Sequence, residues 1–126
     1  MVVLDTHTIV WWASDARLLS ARARRAIDGA DRLGIPAIVF WETSLLVRKR
    51  KLDLGMPVHE WSATIQAIPR AEVLPLTVDI ALLADSLNMH PDPADRFIVA
   101  TAIHHAVPIV TKDRALRSLR IVKTIW

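Results

Sequence analysis

Apolar and polar positions along the chain follow two different periods. Val2, Val3 and Leu4 form a short apolar run ended by Asp5, the pattern of a buried strand. From Thr6 to Ala13 the period lengthens to that of a helix, with Ile9, Val10 and Ala13 on one face. Ser20 caps a second predicted helix that runs through Asp28. Leu33–Ile35 predicts a strand, and Pro36 is placed in the first turn of a helix continuing to about Lys51, where KLDLGMP interrupts it. Val58–Ile68 predicts a helix between Pro57 and Pro69, Glu72–Pro75 a strand, and Thr77 caps a helix to about Asn88. The stretch HPDPADRFIVATA at 90–102 opens a helix ending near Ala106. Pro108–Thr111 predicts a strand, Ala115–Leu119 a helical turn, and Val122–Thr124 a last strand.

Short apolar strands alternating with longer helices predict the α/β class with a mostly parallel sheet. In such sheets ligands bind beyond the carboxyl ends of the strands. Asp5 and Asp113 both stand just past a predicted strand end, which brings them towards one shared edge. The 126 residues predict one domain, 1–126, with no repeat, low-complexity segment or linker.

Composition narrows the function classes. The chain is 52% hydrophobic and 23% charged, which excludes a disordered chain. It has no cysteine, so disulfides and thiolate metal sites are excluded, and a reducing, cytoplasmic setting is expected. MVVLDTHTIVWW has no positive leader and carries Asp5 early, so a signal peptide is not expected. No apolar run approaches the roughly 18 residues of a membrane helix, so no membrane partner is expected. The net charge is +3, with basic residues clustered at Arg17, Arg22, Arg24, Arg25 and Arg32, at Arg48–Lys51, and at Arg114, Arg117 and Arg120. Such clusters form either a solvated basic surface or a surface for a polyanion.

The acids separate by helical phase. A carboxylate on the apolar side of a helix is costly unless it is paired or bound to a cation. Glu42 has Ile38, Val39, Leu45 and Leu46 at the neighbouring helical positions, so it is predicted on a buried stripe. Asp95 has Ile98, Val99 and Ala102 at the forward positions and is also predicted to face inward. Asp92 precedes Pro93, the signature of an N-cap followed by proline at the first helical position. Asp113 in IVTKD and Asp5 in VVLDTHT each have the alternative of a simple turn or cap acid. Taken together, Asp5, Glu42, Asp95 and Asp113 are four acids that converge at one end of one sheet in this reading. Without a cation they would repel strongly. All-oxygen ligands suit a hard cation such as Mg²⁺ or Mn²⁺. Setting these four aside leaves nine acids against sixteen bases. A basic body around an acidic metal pocket suits a phosphodiester substrate.

VLDTHTIVWW, the inward Glu42, DPADRFIVATA and IVTKD, in that order, resemble a PIN domain. More narrowly they resemble the VapC-type toxins of type II toxin–antitoxin pairs. The resemblance covers nearly the whole chain, and its ordered set of blocks is more specific than any one of them. It implies a three-layer α/β/α sandwich and an Mg²⁺- or Mn²⁺-dependent endoribonuclease that leaves a 3′-hydroxyl and a 5′-phosphate. Asp5 and Asp95 match the family's main metal ligands, and Glu42 and Asp113 match the acids that complete the pocket. Asp92 matches a frequent but less central acid. Thr6 matches the hydroxyl residue beside the first aspartate. Thr6 and Thr111 are candidates for orienting carboxylates, with an ordinary strand threonine as the alternative for Thr111. The resemblance further implies an RNA substrate, a cognate antitoxin that blocks the pocket, and a second copy of the chain, hence a homodimer and a hetero-oligomer with antitoxin. Arg48, Lys49, Arg50 and Lys51 are candidate RNA or antitoxin contacts, with a solvated helix end as the alternative.

His7 is left open between capping, packing and touching RNA, while His90, His104 and His105 read as structural or surface residues. Five tryptophans are many for this length; most are expected in the core, and exposed ones suit a protein interface. Three rival readings remain. A haloacid-dehalogenase-type phosphatase needs a second Asp two residues after the first, where this chain has His7. A receiver-like signalling domain needs a phospho-accepting Asp after the third strand, where Leu76 and Thr77 stand. A PIN-fold module that only binds RNA is the third.

Overall fold

A computed structural model describes all 126 residues. Its elements run β1 (Val2–Leu4), α1 (Thr6–Ser14), a 3₁₀ turn (Ala16–Leu18), α2 (Ala21–Asp28), β2 (Leu33–Pro36), α3 (Ala37–Arg48), α4 (Val58–Gln66), β3 (Ala71–Leu74), α5 (Val78–Ser86), α6 (Pro93–His104), β4 (Ile109–Val110), α7 (Arg114–Ser118) and β5 (Thr124–Ile125). The five strands form one sheet in the order β3-β2-β1-β4-β5. Every neighbouring pair is parallel.

Side chains of successive strand residues point to opposite faces. Yet all of β1, β2 and β4 is buried. Both faces of the sheet's centre are therefore covered, and the layers are helix, sheet, helix as the sequence predicts. The core joins strand residues Val3, Leu4, Leu33, Ile35, Ile109 and Val110 to helix residues such as Ile9, Ile27, Val39 and Ile98. Gly34 lets β2 lie close beneath Leu74, whose Cδ1 would stand 2.8 Å from any added Cβ.

The strand order fixes where a ligand belongs. From β1 the chain steps outward to β2 and β3, then returns past β1 to β4 and β5. The order reverses between β1 and β4, and the crevice beyond the strand ends at such a switch point is where open α/β sheets bind ligands. Asp5 leaves β1 there and Thr111 leaves β4.

Element boundaries shift from the predicted ones by a few residues. Pro36 closes β2 in an extended conformation instead of entering the helix, so α3 begins at Ala37 without a side-chain cap. That helix stops at Arg48, not Lys51, because Arg50 turns to φ +56°. Likewise α6 stops at His104 as Ala106 takes φ +54°. The strand predicted at 72–75 is Ala71–Leu74, and the last strand is Thr124–Ile125. Ser20, Thr77 and Asp92 each accept a backbone N–H at the helix start predicted for them.

Candidate active site

Each acidic side chain is delivered by a local rule of chain geometry. Asp5 ends β1 and caps α1, its Oδ1 accepting the Thr6 amide at 2.7 Å. Its Oδ2 accepts the Thr111 hydroxyl at 2.7 Å. Thr111 in turn accepts the Asp113 amide at 3.0 Å, and Asp113 caps α7 through the amides of Ala115 and Leu116. Thr6 hydroxyl donates to Glu42, reaching from α1 to α3. Asp92 caps α6 at the Asp95 amide, 3.1 Å away, and Asp95 lies one turn inside that helix. Capping and membership of the pocket are therefore compatible at Asp5, Asp92 and Asp113.

Asp5, Glu42, Asp92, Asp95 and Asp113 line one open pocket of about 460 Å³ at the β1/β4 switch point, with His7, Trp11 and Lys112 at its side. All four acids singled out by sequence thus meet. Asp5 is buried, Asp95 retains 17% of its side-chain exposure, and Asp92 and Asp113 are exposed. Glu42 corrects the expected buried stripe in part. Only Val39 of its four apolar neighbours is fully buried, and Glu42 itself is half-buried at the pocket wall. Arg48–Lys51 is exposed and lies outside this pocket, with Arg50 and Lys51 in a separate depression beside Asp53.

The carboxylates are electrostatically strained. Burial, then the nearby charges of Asp5, Asp92, Asp113 and Glu42, push the Asp95 carboxyl up to about 7. Burial also raises Glu42, against the lowering hydrogen bond from Thr6 and with Asp5 and Asp92 adding to it. Burial raises Asp5 despite the bonds from Thr111 and Thr6. A divalent cation would relieve all three. The donor set is oxygen only, which fits Mg²⁺ or Mn²⁺ and not a soft metal. The carboxylates share the pocket, yet no three acidic or imidazole side chains stand close enough together to form a metal-holding group. A pocket lined on several sides but not closed suits an ion that keeps several waters and takes one or two carboxylates.

Sequence reasoning gave no role at the pocket to Arg96 and Lys112, read His90 as a structural or surface residue and Trp11 with the core tryptophans. His90 places Nε2 3.3 Å from Asp95 Oδ2. That nitrogen is buried and makes no hydrogen bond. Arg96 donates to the carbonyls of Ala84, Leu87, Met89 and His90 at 2.7–3.1 Å, binding the loop before α6 to the helix that carries Asp95. Lys112 Nζ stands 5.3 Å over the Trp11 ring. None of the four has a helical-phase signal; Arg96 following Asp95 in the DPADR motif was the nearest cue.

Residues 2–122 match the family model described as the PIN domain. The chain is 38% identical to ribonuclease VapC22 of Mycobacterium tuberculosis (strain ATCC 25618 / H37Rv), covering 99% of this chain and 98% of that protein. Its fold is similar to a DNA-bound VapBC from Salmonella typhimurium, at TM-score 0.70 and 19% identity over 98% of this chain and 97% of that one. It is similar too to a toxin–antitoxin complex from Klebsiella pneumoniae, at TM-score 0.68 and 20% identity over 94% and 92% of the two chains. With the family model spanning nearly the whole chain and a relative at 38% identity along its full length, this chain belongs to the PIN domain family.

Proposed function

We propose that the chain is a divalent-metal-dependent endoribonuclease and the toxin of a type II toxin–antitoxin pair. The single observation that carries this reading is the convergence of Asp5, Glu42, Asp95 and Asp113 in one pocket at the β1/β4 switch point. Full-length identity to a protein named a ribonuclease supports the reaction class. Similarity to toxin–antitoxin complexes supports an antitoxin partner.

Asp5 and Asp95 would hold Mg²⁺ or Mn²⁺ directly or through water, with Glu42 and Asp113 completing the acidic wall. When bound, the metal polarises the scissile phosphate and activates water for in-line attack. The chain's own part is orientation. Thr111 fixes one Asp5 oxygen, Thr6 fixes Glu42, and the cap at Asp92 sets where α6 presents Asp95. Lys112, beside the acids, is placed to meet a phosphate oxygen.

The receiver reading fails on topology, since the receiver order 2-1-3-4-5 differs from β3-β2-β1-β4-β5. The phosphatase reading lacks its second aspartate, because His7 occupies that position. For partners, Val78 and Leu82 lie one turn apart on α5 at 74% and 68% exposure, and Trp41 on α3 is 49% exposed. Such apolar surface suits a second copy or the antitoxin. No helix is long and apolar enough to cross a membrane, and a cytoplasmic site of action is part of this proposal.

Induction of the chain without antitoxin tests the reading. Wild type is expected to arrest growth and fragment cellular RNA, while Asp95→Asn does neither. Arrest by both proteins alike would overturn it. RNA binding without cleavage in any metal would favour the binding-only module instead.

A further inference from the structure

A second pocket, of about 490 Å³, lies next to the acidic one. Arg22 from α2, Arg114 and Arg117 from α7, Ser118 and Trp126 line it. No carboxylate stands within ion-pairing distance of any of the three arginines, although the chain pairs Arg17 and Arg32 elsewhere. The three guanidinium groups are exposed to solvent around one shallow depression and free to meet an anion. Arginine's planar fork matches phosphate oxygens in such a setting.

The two pockets are joined in two places. Asp113 of the first and Arg114 of the second are consecutive residues. Trp11 of the first and Trp126 of the second touch, ring centroids 5.9 Å apart and tilted by 58°. The His7 ring lies 5.7 Å from Trp11, tilted by 55°, and Lys112 lies over the Trp11 face. The path therefore runs from acids to a lysine, across two aromatic rings, to three arginines. Basic groups that follow a backbone, interleaved with aromatic rings that take bases, are how proteins hold single-stranded nucleic acid. In the basic run Arg48–Lys51, Arg50 and Lys51 share their depression with Asp53, and only Arg48 neighbours an aromatic ring, Trp41.

We infer that the Arg22–Arg114–Arg117 pocket and the Trp11–Trp126 bridge form a subsite for the single-stranded RNA flanking the scissile bond. The arginines hold backbone phosphate and the rings take an unstacked base. This subsite rests on the endoribonuclease reading above, but its test reads binding separately from cleavage.

The test uses a single-stranded RNA oligonucleotide and fluorescence anisotropy at several salt concentrations, in an Asp95→Asn background that prevents cleavage. Arg22→Ala with Arg117→Ala is compared with Arg24→Ala with Arg25→Ala, which removes the same charge from exposed positions outside the pocket. The first pair is expected to weaken binding about tenfold or more and to lower the salt slope by about 1.4, two phosphates at about 0.7 each. The second is expected to change affinity less than about twofold. Equal losses in both pairs, or none in the first, overturn the subsite. Trp126→Leu, which keeps apolar bulk against the core, is expected to weaken binding about fivefold or more. Unchanged affinity there overturns the stacking role. If the first pair abolishes binding of a hexaglutamate peptide and leaves RNA binding intact, the pocket serves a protein partner and the proposal fails. Absence of cleavage by wild type would sink the nuclease reading, whereas indistinguishable binding by the two pairs sinks only the subsite.

Discussion

The hydroxyl of Thr111, fully buried past the end of β4, donates to Asp5 Oδ2 at 2.7 Å and so ties the tip of β4 to the tip of β1. Asp5 sits in the interior with both of its oxygens met by hydrogen bonds, from Thr111 and from the Thr6 amide. Thr111→Val keeps the shape and removes the donor. It is expected to cost about 1–3 kcal/mol in urea unfolding, with Thr111→Ser recovering most of it. Equal stability of the Val and Ser variants would show that the bond does not hold Asp5.

Protonation of Asp95 links pH to stability. Its carboxyl titrates near 3.8 in an unfolded chain and at about 7 in the fold. Between those values the folded chain keeps a proton that the unfolded chain has released, so stability falls as pH rises to about 7 and levels off above it. The raised carboxyls of Glu42 and Asp5 act in the same direction. In chelator, the Tm is expected to be higher at about pH 5.5 than at about pH 8, and Asp95→Asn to flatten the difference. Mn²⁺ should raise the Tm more at the higher pH, where the ligands are ionised. A Tm that rises with pH in chelator would contradict this.

Arg96 is the residue whose loss should disturb the site without touching it. Its guanidinium meets five carbonyls, those of Ala84 and Asp85 in the preceding helix and of Leu87, Met89 and His90 in the loop. Lysine cannot reproduce that fork. Arg96→Lys is expected to destabilise the protein by about 2 kcal/mol or more and to weaken Mn²⁺ binding, measured calorimetrically. Wild-type metal affinity in a stably folded Arg96→Lys would leave Arg96 a purely structural role.

Asp92 and Asp95 should respond differently to the same loss. Asp92→Ala removes a helix cap and is expected to cost about 1 kcal/mol, which Asp92→Ser restores. Asp92→Ser should keep most RNA cleavage, because serine retains the cap. Loss of cleavage as complete as in Asp95→Asn would place Asp92 among the metal ligands.

Strand and helix order was legible in the sequence because the elements carry distinct periods and several helices carry their own cap, as at Ser20, Thr77 and Asp92. Element ends were less so. Arg50 and Ala106 stop their helices by taking positive φ, which neither side chain announces. That Asp5, Glu42, Asp95 and Asp113 share one pocket was legible from phase and from position past strand ends. Glu42 was read as more deeply buried than it is, since helical phase gives a direction and not the depth of what covers it. His90, Arg96, Lys112 and Trp11 gain their places from contacts across loops or between strand tips. Such contacts have no local pattern, and only the packed fold brings them to the carboxylates.

Cleavage of a single-stranded RNA by purified wild type and Asp95→Asn, each in Mg²⁺, Mn²⁺ and EDTA, tests the central claim most directly. The account predicts cleavage by wild type with either metal, none in EDTA, and a rate for Asp95→Asn lower by about 100-fold or more. Equal cleavage by the two proteins, or cleavage that persists in EDTA, would contradict it.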